Sequence, residues 1–355
     1  MGVERKAAPA RAGRQQAVRT APAVRSRPRP AGSAPARPEP GASAAPVAVR
    51  YVKVGYESAG QRLDNFLIRL SKGVPKSHIY RVVRSGEVRI NRGRAAADQR
   101  LSLGDEIRIP PMRISSRVEV PPPSASRLPV VFEDEHLLVV DKPAGMAVHG
   151  GSGISFGAIE RIRAARPNQP YLELAHRLDR DTSGLLLLAK SRKALLNLHA
   201  ALRQGQIQKR YLVLVAGHWV NDRQHVKLAL SRSSEGLAGK VRVDPEGGSA
   251  SHTVFELRER FKQFALLDAE LLTGRTHQIR VHLAHLGFPI VGDAKYGDFE
   301  LNRQVARGVF GERLTRMFLH ASQVRLQHPI SAEPIAFTSP LPSECEALVE
   351  ALRGA

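Results

Sequence analysis

The 355-residue sequence predicts an α+β protein: a small mixed unit, then a larger mixed, largely antiparallel α/β domain. Three observations lead there. Residues 61–86 carry apolar side chains at helical spacing, whereas 87–91 and 105–109 alternate with period two, as half-buried strands do. From residue 130 onward, short apolar runs alternate with turn signals and a few helical patterns. Between the two lies 113–127, which holds Pro121-Pro122-Pro123 among serines and reads as a linker.

In order along the chain, residues 1–50 hold 14 Ala, 8 Pro and ten basic against two acidic residues, with scarcely an aliphatic side chain to anchor a core. This composition predicts a disordered basic tail; it also resembles an organelle transit peptide, but the prolines break any long amphipathic helix. In the unit 51–112, Leu63, Phe66, Leu67 and Leu70 recur at i, i+3, i+4 and i+7, so Gln61 to Leu70 is expected to be an amphipathic helix. Pro75 and Ser77 start a second helix, Ile79, Val82 and Val83 give its apolar face, and Gly86 ends it. Strands are expected at Glu87 to Asn91 and Asp105 to Ile109. In the domain 128–355 they are expected at Leu137 to Val140, Leu172 to Leu178, Leu185 to Leu188, Tyr211 to Val215 and Leu266 to Leu272, with helices at Ser155 to Ala165 and Ser191 to Arg203.

Charge narrows the function. The net charge is +21 and the pI about 10.9, so a polyanion such as nucleic acid is the expected partner. The tail alone does not account for this, because residues 61–110 carry 11 basic against 5 acidic residues. Ser77, Arg81 and Arg84 share one helix face, with Lys76, Arg89 and Arg92 near in sequence, which favours RNA binding over a merely solvated face. No apolar run approaches the ~18–20 residues of a membrane-spanning helix. A lone cysteine, Cys345, leaves no internal disulfide and no cysteine-based zinc site, and the cytoplasm is the default location.

Two clusters carry chemistry. His176-Arg177-Leu178-Asp179-Arg180-Asp181-Thr182-Ser183-Gly184 sits before the run Leu185 to Leu188, where a scaffold can present a carboxylate; Arg177 and Arg180 flank Asp179 and would hold it ionised. An ordinary polar turn is the competing reading. Thr273-Gly274-Arg275-Thr276-His277-Gln278-Ile279-Arg280-Val281-His282 follows another apolar run and opens a helix with Thr276 as N-cap; Arg280, if buried, needs an anionic partner, and Asp179 is the candidate. Lys209 and Tyr211, two apart in a strand, share a face; the ring could stack on a base or simply pack. The histidines lack HExxH or carboxylates at metal-ligand spacing, so most read as structural and no metal is expected. His149-Gly150-Gly151-Ser152-Gly153 completes neither GxGxxG nor a P-loop, so no nucleotide cofactor is implied, and Ser183 lacks a GxSxG context.

The segments HRLDRDTSG, Lys209-Arg210-Tyr211 and TGRTHQIRVH, in that order behind a small basic domain, resemble the RluA/RluC family of pseudouridine synthases over roughly 51–350. Gly73-Val74-Pro75-Lys76-Ser77 and the Val148 to Gly153 segment resemble its RluC type, which acts on 23S ribosomal RNA. The resemblance implies an S-four-type RNA-binding domain before a pseudouridine synthase domain, a cofactor-free isomerase, ribosomal RNA as partner and a monomeric, cytoplasmic protein. It implies Asp179 as the catalytic aspartate, Arg280 as its pairing arginine, Arg177 filling the gap left by a flipped base, Tyr211 against the uracil with Lys209 beside it, and Ile279 lining the pocket. A non-catalytic RNA-binding or ribosome-assembly protein, and a synthase acting on transfer RNA, are the alternatives. Asp181 is the one nearby candidate for the second acid that a hydrolase would want.

Overall fold

The computed structural model describes residues 48–71, 74–112, 128–150, 156–233 and 240–354. The tail through residue 47, the linker, and most of the glycine-rich stretch after His149 lie outside the described residues, as does Gly73.

The small unit is a two-layer α/β sandwich. Its elements are β1 (Arg50–Lys53), α1 (Leu63–Leu70), α2 (Lys76–Arg84), β2 (Arg89–Ile90), β3 (Gly93–Arg94) and β4 (Glu106–Ile109). All strands are antiparallel, in the order β1-β4-β2-β3. Arg50, expected in the tail, is the first residue of β1 and pairs with Ile109. The apolar stripe Leu63, Phe66, Leu67 of α1 meets Ile79, Val82 and Val83 of α2 over Ile90, Ile107 and Ile109 of the sheet. Pro75, not Ser77, is the N-cap of α2, and Gly86 supplies the left-handed turn (φ +76) that follows it. The strand expected over Glu87 to Asn91 shrinks to two residues, because Asn91 and Arg92 both adopt positive φ in a tight turn.

The large domain is built on β5 (Val130–Glu133), β6 (Leu137–Lys142), α3 (Ala158–Ala164), β7 (Glu173–Leu174), β8 (Ser183–Ala189), α4 (Arg192–Arg203), β9 (Gln208–Ala216), β10 (Arg223–Arg232), β11 (Val241–Val243), β12 (Ser249–Arg260), β13 (Phe264–Leu271), α5 (Gln278–His285), α6 (Phe299–Arg307), β14 (Leu319–Gln327), β15 (Pro334–Thr338) and α7 (Ser343–Arg353). The central sheet runs β11-β10-β12-β13-β9-β14-β8-β6-β5, with β15 on β14 and β7 on β8. Every pairing is antiparallel except β14 with β8. That parallel contact requires Gly184: a Cβ there would lie 2.3 Å from the Ala321 carbonyl oxygen, and φ is +105.

Strand β8 explains why its apolar run is continuous. Leu186 and Leu188 enter the core beneath α3 and α5, whereas Leu185, Leu187 and Ala189 enter a second core beneath α4, so both faces are buried. The strand expected over Leu172 to Leu178 is largely an irregular segment, with only Glu173 and Leu174 in β7. Leu172 and Leu178 still enter the core. Ser191 caps α4 by accepting the Ala194 N–H (3.2 Å). Among the described residues, no helix is long and apolar enough to cross a membrane.

Candidate active site

The loop that carries Asp179 is fastened at several points. His176 Nε2 accepts the Leu187 N–H of β8 (3.1 Å), so the ring is neutral, and burial pushes its pKa down to about 4. The Thr182 N–H closes a turn on the Asp179 carbonyl (3.2 Å). From the other side comes Lys142 of β6, a fully buried lysine whose ammonium donates to the carbonyls of Pro143 (2.9 Å), Met146 (2.8 Å) and Arg180 (3.0 Å). Ser183 Oγ joins Arg316 Nη2 (2.7 Å) and His320 Nδ1 (2.9 Å) at the loop's end.

Helix α5 brings the second cluster to the same place. Its start is held by Gln278 rather than by Thr276. The Gln278 Oε1 accepts the Arg275 N–H (3.0 Å) and the Thr273 hydroxyl (2.8 Å), while Nε2 donates to the His252 carbonyl (3.1 Å) and Thr273's neighbour strand residue Thr253 (2.9 Å). The N-cap position belongs to His277, in the left-handed region at φ +55.

Arg280 is only 6% exposed and is shared by two carboxylates. Its Nη1 donates to Asp179 Oδ2 (3.0 Å), and its Nε and Nη2 grip Asp293 (2.7 and 2.8 Å) in a bidentate pair. Asp293 Oδ1 also takes the N–H groups of Lys295 and Tyr296 (2.8 and 3.0 Å). This arginine and these two amides hold the fully buried Asp293 carboxyl below the usual carboxylate range, despite burial, which pushes the other way. Just before Asp293, Gly292 lets the chain pass close to Arg316, since a Cβ there would meet the Arg316 carbonyl oxygen at 2.0 Å. The Arg280 guanidinium lies 5.1 Å from the Tyr296 ring centroid.

Tyr296 orders a third member. Its hydroxyl accepts the Val241 N–H (2.8 Å) and is hydrogen-bonded to His277 Nδ1 (2.8 Å). Burial depresses the His277 pKa, and its Nε2 lies 3.8 Å from Asp179 Oδ2. Within the described residues, Asp179 Oδ1 accepts no hydrogen bond, and the side chain is a quarter exposed. On β9, Tyr211 is buried beside this carboxylate; burial first, and then the charge of Asp179, push its phenol well above the ordinary value. Burial alone lowers the Lys209 pKa. Ile279 is buried in the main core.

Thus Asp179, Arg280, Tyr211 and His277 converge, and Arg177 stands exposed on the loop beside them. Arg180 does not hold Asp179 as expected, since it pairs with Asp181 (3.0 Å). The second carboxylate joined to the cluster is Asp293 rather than Asp181. Sequence reasoning missed Asp293, Lys142 and Tyr296, and counted His277 among the structural histidines. The only available signal was the polar Gly292-Asp293-Ala294-Lys295-Tyr296-Gly297 segment after the apolar Ile290-Val291. A cleft of about 760 Å³ lies elsewhere, between α4 and the β14–β15 hairpin, and holds none of these residues. Among the described residues, no cluster of three or more His, Cys, Asp or Glu could hold a metal ion.

In the small unit, Lys76, Arg81, Arg84, Arg89 and Arg92 are all exposed. The two layers divide them: Lys76, Arg81 and Arg84 belong to α2, Arg89 to the sheet, and Arg92 to the β2–β3 turn.

A carboxylate held by a buried arginine, next to a buried tyrosine at the centre of a mixed sheet, behind a small basic domain, is the architecture of an RNA-modifying enzyme. Residues 136–285 match the RNA pseudouridylate synthase family and residues 61–107 match the S4 domain. The chain is 45% identical over 312 residues to the ribosomal large subunit pseudouridine synthase C of Pasteurella multocida (strain Pm70), covering 86% of this chain and 94% of that one. The protein of that description from Escherichia coli (strain K12) is 45% identical over 317 residues, covering 86% and 98%. Among solved structures, human RNA pseudouridylate synthase domain containing 1 superposes with a TM-score of 0.51 at 27% identity, over 66% of this chain and 98% of that one. The chain belongs to the RNA pseudouridylate synthase family. It is an RNA pseudouridine synthase with an S4 domain ahead of its catalytic domain.

Proposed function

We propose that this enzyme isomerises specific uridines of large-subunit (23S) ribosomal RNA to pseudouridine, with Asp179 as the catalytic carboxylate and no cofactor. The reaction breaks the bond from uracil N1 to ribose C1′, turns the base and joins C5 to C1′; C5 loses a proton and N1 gains one, so nothing is consumed. A carboxylate serves by attacking the anomeric carbon, as glycosidase carboxylates do, or by taking the ribose 2′ proton; both routes run through Asp179.

The observation that carries this reading is Arg280 bridging Asp179 and Asp293: the buried guanidinium fixes Asp179 by one oxygen and leaves Oδ1 for substrate. The target base leaves its stack to reach this site. Tyr211, with Lys209 beside it and Ile279 below, receives the uracil, while Arg177 fills the gap in the RNA. The raised phenol pKa keeps Tyr211 protonated, which suits a packing surface rather than a base. Lys76, Arg81 and Arg84, with Arg89 and Arg92, supply phosphate contacts, and the enzyme works as a cytoplasmic monomer. The names of its relatives support ribosomal RNA as the substrate.

The test is to map pseudouridines in RNA from cells lacking the protein and from cells carrying Asp179→Asn. The expected outcome is loss of the same 23S positions in both, with purified Asp179→Asn slowed on the order of 10³-fold or more while RNA affinity stays within a few-fold. Turnover near the parental rate would overturn the role of Asp179. Loss of transfer-RNA sites alone would overturn the substrate.

A further inference from the structure

The register of the small sheet sets one residue from each strand in a single row. Tyr51 of β1 pairs with Arg108 of β4, Arg108 with Arg89 of β2, and Arg89 with Arg94 of β3. Cross-strand partners share a face, and the opposite face holds Val52, Ile107 and Ile90, packed under the helices. The row therefore lies on the outer face through Tyr51, Arg108 and Arg89, while Arg94 at the sheet edge turns back to the α2 layer and donates to the Arg84 carbonyl (3.2 Å). It spans about 14 Å across four strands. Tyr51 is 62% exposed, an unusual position for an aromatic ring.

The three arginines have no carboxylate partner among the described residues. Each is instead steered by a backbone carbonyl: Arg108 by Glu87 (2.6 Å), Arg89 by Arg92 (3.2 Å) and Arg94 by Arg84 (3.2 Å). That leaves most of the five N–H donors on each guanidinium available. Glu106, the acid on this face of β4, is paired in register with Lys53. We propose that this outer face binds a single-stranded RNA segment, with a base stacked on Tyr51 and the backbone phosphates on Arg108 and Arg89. A flat sheet with an exposed ring and flanking arginines suits an unpaired strand, whose bases are free to stack, better than a duplex, whose bases are enclosed. The surface is separate from the α2 face and from the catalytic site, so it stands whether or not the chain acts on 23S RNA.

The experiment measures binding of the full chain to unstructured oligouridylate and to an RNA duplex over a range of salt. Tyr51→Ala should weaken the single strand by about 5- to 100-fold with an unchanged salt slope and leave the duplex within two-fold, and Tyr51→Phe should bind like the parent. Arg89→Gln with Arg108→Gln should lower the single-strand slope by about 1.4, or roughly 0.7 per phosphate contact. Parental single-strand affinity in Tyr51→Ala, or an equal loss on the duplex, overturns the stacking role. An unchanged slope in the arginine variant overturns the surface. Pseudouridine formation is not read in this experiment, so its failure is distinct from failure of the proposed reaction.

Discussion

Arg280 and the arginines of the small sheet carry the same charge into opposite surroundings. Arg280 is buried and directs three N–H groups at two carboxylates, one of them wholly enclosed. Arg89, Arg94 and the half-buried Arg108 donate to backbone carbonyls and have no carboxylate partner among the described residues. A buried guanidinium must be neutralised by the fold, so it reports an internal device; an exposed one without a partner is available to a polyanion from outside. One chain thus uses arginine to hold a catalytic carboxylate and to hold RNA, and burial tells the two apart.

The comparison breaks most visibly at Arg280. Arg280→Met should leave Asp293 buried without its cation, costing about 3–5 kcal/mol of stability and nearly all activity, measured as a fall in denaturant midpoint and in turnover. A variant of parental stability would mean that Asp293 is satisfied by its backbone amides alone. On β9, Tyr211→Leu should cost about 1–3 kcal/mol in stabilisation of the bound base and slow the reaction accordingly, whereas Tyr211→Phe should be close to parental. Equal, full activity in both would make the ring ordinary packing.

Acid sharpens the contrast between buried and exposed groups. His282 is fully buried, with Nε2 joined to Ser251 Oγ (2.8 Å), and burial pushes its pKa down to about 4. The unfolded chain takes up this proton near ~6.5 and the native protein only near 4, so its contribution is intact above 6.5 and lost as pH falls toward 4. Unfolding at pH 5.5 against pH 7 should show about 1 kcal/mol less stability from this group, and His282→Gln should flatten that loss. The smallest effect is expected on the outside. Arg81→Gln with Arg84→Gln should lower the slope of log affinity against log salt by roughly one to two and leave the saturating rate near parental. An unchanged slope would make that face solvated surface, and a collapsed rate at normal affinity would make it part of the catalytic apparatus.

What the sequence disclosed follows the same division. Asp179 and Arg280 were legible because ionisable groups crowd short segments beside apolar runs, and the partnership between them followed from the cost of burying a guanidinium. Asp293 was not legible: it lies in a loop with no periodicity, and only the tertiary structure folds that loop under α5. Lys142 reads in sequence as a surface lysine at a strand end, and nothing local reveals three carbonyls converging on it. The short strands of the small unit blur because two positive-φ residues cut β2 off after Ile90. The run Leu172 to Leu178 misleads because an irregular segment anchored by apolar side chains buries the same residue types that a strand would.

Lys142 also makes the enzyme its own reporter. All three of its N–H bonds end on carbonyls, one of them on Arg180, next to the residue proposed to do the chemistry. Burial pushes its pKa down to about 8, a shift that exposure would undo, and the native fold keeps the amine sealed. An amine-directed label should therefore pass it over in the closed state and mark it only when the Asp179 loop lets go, turning a structural clasp into a clock for how often that loop opens.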